Sequence, residues 1–247
     1  MAENPVILFI MIAVVAFMIG VAKGGLGSGL GALATPLMAL VMSPDQAIGL
    51  LLPVLMLADI FAVILHWKRW NSRMVLLLIP GSVVGVMVGT MFITNVPVER
   101  LRTAIGIITL IFALYRLLEP RIRKSLKYVP YDWHGILAGV IAGFSSSLAH
   151  TGGPPVSIYL LLQNVQARVF VATAALYYFI LNWIKVPYYA YAGLLDLEII
   201  LSVIWVIPIV SLGVWIGKWG VNKVNKETFD RVIVVLLIIS AVRLIIG

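Results

Sequence analysis

Apolar residues in this chain come in long unbroken runs, parted by short polar or basic stretches; they do not alternate with polar positions. Runs of about twenty residues are what a helix needs to cross a hydrocarbon core of about 30 Å. The first half predicts elements at 5–22, 28–42, 46–65, 74–95 and 99–118, and the second half at 134–149, 154–163, 167–190, 196–219 and 227–246. Both halves run in the same order. Two short elements flank a Gly- or Ser-rich break, and three full-length helices follow.

The halves also match residue by residue. "PDQA" (Pro44–Ala47) and "NVQA" (Asn164–Ala167) open the third element of each half, and "VER" (Val98–Arg100) and "KET" (Lys226–Thr228) open the fifth. In the fourth, "PGSVVGVMVG" (Pro80–Gly89) and "PIVSLGVWIG" (Pro208–Gly217) share Pro-x4-Gly-x3-Gly. Ordered matches of this kind indicate an internal duplication, a recurring plan in secondary transporters. Loop charge then sets direction. "HWKRWNSR" (His66–Arg73), the linker "RLLEPRIRKSLKYVPYDW" (Arg116–Trp133) and "KWGVNKVNK" (Lys218–Lys226) are basic and are expected in the cytoplasm, whereas the connections at Ser43–Asp45, Asn95–Val98 and Gly193–Glu198 are neutral or acidic. Element 46–65 then runs inward while its partner 167–190 runs outward, so the repeats are inverted. The expected fold is an all-α polytopic membrane protein of two inverted repeats, residues 1–118 and 133–247, joined by a basic cytoplasmic linker, 119–132. Each repeat is a short broken or re-entrant helix pair followed by three transmembrane helices. The short elements 28–42 and 154–163 reach only about 22 and 15 Å, too short to cross as single helices.

Composition narrows the class further. The 247 residues are 62% hydrophobic and 11% charged, with a mean hydropathy of +1.08, whereas soluble domains average about 45–50% apolar and 25% charged residues. The net charge of +8 sits mostly in short loops, which makes it a topology signal and not a nucleic-acid footprint. Cysteine is absent, which excludes disulfides and thiol chemistry. No run resembles a cleaved signal, no G-x4-G-K-[ST] segment indicates a built-in ATPase, and neither a cofactor nor a metal site is expected.

The chemistry concentrates in the two breaks, "KGGLGSGLGALATP" (Lys23–Pro36) and "FSSSLAHTGGPP" (Phe144–Pro155). Irregular backbone at membrane depth is tolerated only where it is enclosed by protein or lines a cavity. Each break precedes a helix, whose free N–H groups and partial positive charge favour anions. Glycine admits close approach to the backbone, and hydroxyls add donors. The candidate substrate-binding residues are therefore Lys23, Gly24, Gly25, Gly27, Ser28 and Gly29 in the first break, and Ser145, Ser146, Ser147, His150, Thr151, Gly152 and Gly153 in the second. Asn182 and Lys185 lie three apart in "FILNWIKVPYYAY" (Phe179–Tyr191), on one helix face, with Tyr189 further along. Asp59, within an apolar run, is a coupling residue or an ion-pair partner for Lys23, since a carboxylate at a bilayer centre costs about 2.5–3.5 kcal/mol on insertion scales. Trp67, Trp70 and Trp133 flank basic loops as interface anchors.

At "GGLGSGLGALATPLMAL" (Gly24–Leu40) and "AHTGGPPVSIYLLL" (Ala149–Leu162) the chain resembles the TauE/SafE family of sulfite and organosulfonate exporters, over essentially its full length. The resemblance marks Gly24, Gly25, Gly27, Gly29 and Pro36, then Gly152, Gly153 and Pro154, as motif positions, with Ser28 interrupting the glycines of the first segment. It implies an inner-membrane, multi-pass transporter of a small anion, typically sulfur-containing (sulfite, sulfoacetate or another organosulfonate), and an export direction. The leading expectation is alternating access by a secondary transporter whose partners are the anion and the lipid bilayer. A proton or cation drive and a homodimer stay open. An anion channel is the alternative. A hydrolase built on Ser146 and His150, four residues apart, lacks the G-x-S-x-G elbow and gains nothing from duplication, so the protein is not expected to be an enzyme.

Overall fold

The computed structural model describes residues 5–26, 28–125, 131–220, 223 and 225–247. Twelve α-helices account for most of them, and no strand occurs among the described residues. In the first half these are α1 (Pro5–Val21), α2 (Ser28–Ala32), α3 (Ala34–Met38), α4 (Pro44–Leu65), α5 (Ser72–Asn95) and α6 (Val98–Ser125). The second half contributes α7 (Asp132–Ala149), α8 (Gly153–Leu162), α9 (Ala167–Tyr191), α10 (Leu197–Ser202), α11 (Ile207–Gly220) and α12 (Lys226–Ile246). A wide π-helical turn, Ala22–Leu26, follows α1, and a tight 3-10 turn, Ile204–Val206, joins α10 to α11.

Polar residues set several of the starts. Asn71 accepts from the Met74 N–H, Asp196 from Ile199 and Asn225 from both Glu227 and Thr228, each supplying an acceptor for otherwise unpaired amides of a first turn. Boundaries differ from the sequence expectation in three places. The 28–42 run divides into α2 and α3. The 196–219 run bends through the 3-10 turn just before Pro208, which sits at the second position of α11, where its missing N–H costs nothing. Helix α6 passes through Pro120 to Ser125 instead of stopping at 118; a single proline removes one hydrogen bond and leaves the rest of the ladder to carry it.

Among the described residues, six segments are long and apolar enough to cross a membrane: Pro5–Gly25, Pro44–Leu65, Ser72–Asn95, Val98–Ile122, Ala167–Tyr191 and Leu197–Gly220. Their outward faces stay apolar, with Leu76, Met91, Ile111 and Trp215 all exposed, as lipid contact requires. The protein is a polytopic, all-helical membrane protein.

Glycine determines how the helices meet. Along α5, Gly81 and Gly85 abut the carbonyls of Ile136 and Val140 of α7, and Gly139 and Gly143 of α7 abut Leu78 and Ser82 in return. The rising numbers on both sides make the two helices parallel, and Arg73 reaches Asp132 at their shared starting end (3.1 Å). Helices α1 and α11 pack in the same way. Gly20 and Gly24 abut the carbonyls of Val210 and Val214, and Gly213 and Gly217 abut those of Phe17 and Val21. The Pro-x4-Gly-x3-Gly motif is thus a backbone-to-backbone packing surface, used once in each half against the first helix of the other.

Two further pairs are antiparallel. Helix α4 faces α9, with Gly49 against Leu194 at one end and Asp59 against Asn182 near the other. Helix α6 faces α12, with Gly106 against Ala241 and Leu244 and Arg116 bonded to Asp230 (2.7 Å). The short segments turn back. Gly152 lies against Ala142 and Ser146 while Tyr159 reaches Gly135, so α8 retraces α7. Helix α3 packs Ala34 and Met38 into the cluster formed by Val15, Ala16 and Ile19 of α1.

Leucine at Gly85 or Gly139 would drive a side chain into main-chain atoms that cannot give way. Overpacking of this kind costs at least about 1–3 kcal/mol, so Gly85→Leu and Gly139→Leu should lose the monodisperse peak in detergent size exclusion. Gly31→Ala, whose new methyl meets only Ala22 Cβ at 3.6 Å, should retain it. A well-folded Gly85→Leu would refute the close backbone contact.

Candidate functional site

Helix α9 carries Tyr178, Asn182, Lys185 and Tyr189 at spacings of four, three and four, which aligns them on one face. That face meets the end of α7, the deep part of α4 and the wide turn after α1. Asn182 Nδ2 donates to Asp59 Oδ2 (2.6 Å), while Lys23 Nζ closes on Asp59 Oδ1 (2.5 Å). Lys185 Nζ donates to Asn182 Oδ1 (3.1 Å) and to the Ser146 carbonyl (2.9 Å). Asp59 and Lys185 are fully buried, and Asn182 nearly so. Lys23 keeps 21% of its side chain accessible and lies over the Tyr178 ring, 4.9 Å from its centroid.

The chain ends α7 here for a visible reason. His150 adopts a left-handed conformation (φ 54) and donates its N–H to the Ser146 carbonyl (3.0 Å). A helix end leaves its last carbonyls short of partners; the Ser146 carbonyl accepts from Lys185 as well as from His150, and Tyr189 Oη donates to that of Ser147 (2.7 Å). A cation at a helix C-terminus is favoured by the dipole as well. The His150 ring leaves α7 altogether: its Nδ1 lies 3.2 Å from Thr35 Oγ1 on α3, which ties the second break to the first. His150 Nε2 and Thr151 Oγ1 are buried without a hydrogen-bond partner. Buried polar atoms are rarely left so.

The predicted residues thus divide. Lys23, Asp59, Asn182, Lys185 and the Ser146 carbonyl form one connected cluster, with Ser147, His150, Thr151 and Gly153 at its edge; Gly153 lies against Phe112 and near Tyr178. Gly24 is engaged in the contact with Val214, Gly29 faces Ile233 and Arg116, and Gly152 packs on Ala142. Gly25 is exposed with φ 148, a backbone conformation that only glycine adopts readily. The Ser145 and Ser147 hydroxyls bond back to the carbonyls of Ile141 (2.8 Å) and Gly143 (2.9 Å), a local use of serine within helices. Gly27 and the Ser28 side chain lie outside the described residues. No hydrogen bond joins Ser146 Oγ to His150 among the described residues, so a Ser–His dyad is not assembled. Thr35 and Tyr178 are the residues that sequence reasoning missed. Tyr178 was detectable, because it continues the Asn182–Lys185–Tyr189 stripe by one turn; Thr35 carried no signal beyond its place in the break.

The cluster holds two lysines and one carboxylate, enclosed by helices, so it carries one excess positive charge when both lysines are protonated. No group of three His, Cys, Asp or Glu side chains among the described residues is placed to hold a metal ion. The fold and site define a class: a multi-pass helical membrane protein with a buried, cation-rich centre where two interrupted helices meet. The model of the Sulfite exporter TauE/SafE family matches residues 12–244. The chain belongs to that family, which is one of transporters. Comparison with curated proteins and with solved structures returns no match.

Removing one member of a buried ion pair leaves the other uncompensated, at a cost of about 3–5 kcal/mol for a fully enclosed pair. Lys23 is partly accessible, so Lys23→Met should destabilise by about 2–3 kcal/mol. The double variant Lys23→Met/Asp59→Asn should recover most of that loss, as a coupled pair does in a double-mutant cycle. Additive losses in thermal unfolding would show that the two side chains do not interact.

Proposed function

We propose that the protein is a secondary transporter that moves a small sulfur-containing anion, such as sulfite, sulfoacetate or another organosulfonate, across the inner membrane by alternating access, in the direction of export. One observation carries this reading. Lys23 from the first half and Lys185 from the second converge through a single carboxylate at the place where both broken segments meet. A centre with one positive charge to spare is costly to keep empty in a low-dielectric medium, and an anion relieves that cost. The unpartnered His150 Nε2 and Thr151 Oγ1 supply hydrogen-bonding capacity beside it, in keeping with an oxyanion that has several acceptor oxygens.

The packing supports an inverted repeat. The fourth helix of each half lies on the first helix of the other, α5 on α7 and α11 on α1. The equivalent helices α4 and α9, and α6 and α12, meet antiparallel, as exchange by a twofold axis in the membrane plane requires. Each half then contributes one broken segment to the centre, and rocking one half against the other would expose it to one side at a time. Basic loops on the cytoplasmic side set the orientation. A cavity of about 310 Å³ lined by Asp45, Thr94, Val96, Gly193 and Leu194 opens beside the neutral connections, where an outer vestibule would lie.

Purified protein should be stabilised against heat by at least one of the anions sulfite, thiosulfate, sulfoacetate and sulfate, because a ligand that binds only the folded state raises apparent stability by mass action. Proteoliposomes should accumulate or release the same anion. Lys185→Met should lower its uptake by about tenfold or more while preserving a folded, monodisperse protein. Transport undiminished in Lys185→Met would refute the site, and single-channel conductance far above carrier turnover would make the protein a channel.

A further inference from the structure

We infer that Asp59 is a built-in counter-ion that sets the valence of the transported anion, restricting the site to one net negative charge. Among the anions named above it selects hydrogen sulfite and simple monosulfonates and excludes the dianion sulfoacetate. The inference rests on the anion-site reading above and adds a selectivity rule to it. The geometry is that of a substitute ligand. Both oxygens of the carboxylate are taken, Oδ1 by Lys23 Nζ at 2.5 Å and Oδ2 by Asn182 Nδ2 at 2.6 Å. It therefore holds one cation as a bound anion would, and it cannot leave because it is tethered to α4. Lys185 touches no carboxylate. Its two bonds go to neutral acceptors, Asn182 Oδ1 and the Ser146 carbonyl, so in its protonated form it is the cation left unmatched.

The surroundings add nothing that alters this balance. Tyr178, Thr35 and His150 face the cluster as uncharged groups when the imidazole is neutral. The partly buried cation Arg116 is matched by Glu119 and Asp230, each at 2.7 Å. A singly charged anion entering beside Lys185 makes the centre neutral. A doubly charged one leaves a surplus negative charge next to Asp59, and like charges at such range in a protein interior repel by several kcal/mol. Selection against the dianion thus comes from a repulsive element fixed in the protein.

The test uses two probes whose charge does not change near neutral pH, methanesulfonate with one negative charge and sulfate with two. Binding of each to the full-length protein in nanodiscs is measured by isothermal titration. Wild type should prefer methanesulfonate by about tenfold or more. Asp59→Asn, which keeps the shape and leaves two unmatched lysines, should reverse the preference toward sulfate. Lys23→Gln/Asp59→Asn, which restores a single unmatched cation, should return it to methanesulfonate. Sulfate binding wild type as tightly as methanesulfonate overturns the inference, and this comparison holds even if a variant fails to fold. An unshifted preference in folded Asp59→Asn overturns it as well. If neither probe nor any other sulfur oxyanion binds wild type, the anion-site reading itself fails, and the valence rule falls with it.

Discussion

Helices in a bilayer gain nothing by hiding apolar surface from one another, because lipid tails solvate it equally well. What holds this molecule together is the close approach of backbones at glycine. The contacts of α5 with α7 and of α11 with α1 place α-carbons against carbonyls along whole helical faces, and each contact joins one half of the chain to the other. Everything at the centre depends on that. The α7 terminus reaches Lys185, and Lys23 reaches Asp59, only because the helices carrying them are drawn in to backbone distance.

Polar groups introduced into such a medium must find partners within the protein, and the centre shows how few suffice. One carboxylate engages one lysine and one amide; the amide's oxygen engages the second lysine; that lysine engages a helix end. The chain of bonds passes through α1's wide turn, α4, α9 and α7, so four separately folded segments agree on a single arrangement. Networks of this kind lose more than one bond when one member is removed.

The fold was largely legible because membrane helices announce themselves by length and apolarity. The runs at 167–190 and 227–246 became α9 and α12 within a residue or so at each end. What failed to show were features fixed by context. Proline at 120 reads as a stop, yet α6 continues past it, and Pro208 in α11 adjoins a bend while Pro80 in α5 does not. At the site, the charged members Lys23, Asp59 and Lys185 stood out against an apolar background, and their pairing was half foreseen. The glycines were harder. Gly24 and Gly152 look alike as ligand-approach positions in the sequence, but whether a glycine faces a ligand or another helix depends on a partner far along the chain. Thr35 was invisible for the same reason, since its partner His150 is 115 residues away.

The end of α7 is set from outside the helix. Its last turn offers the carbonyls of Ser146 and Ser147, and these are held by Lys185 and Tyr189, two side chains one turn apart on α9. The spacing of those side chains acts as a ruler. Extending α7 by a turn would draw the Ser147 carbonyl back into the helical ladder and strand the Tyr189 phenol in oil, and retracting it would leave both side chains with nothing to hold. The position of the break is therefore encoded on a different helix from the one that breaks, and α7 and α9 must travel together in any motion that keeps those bonds.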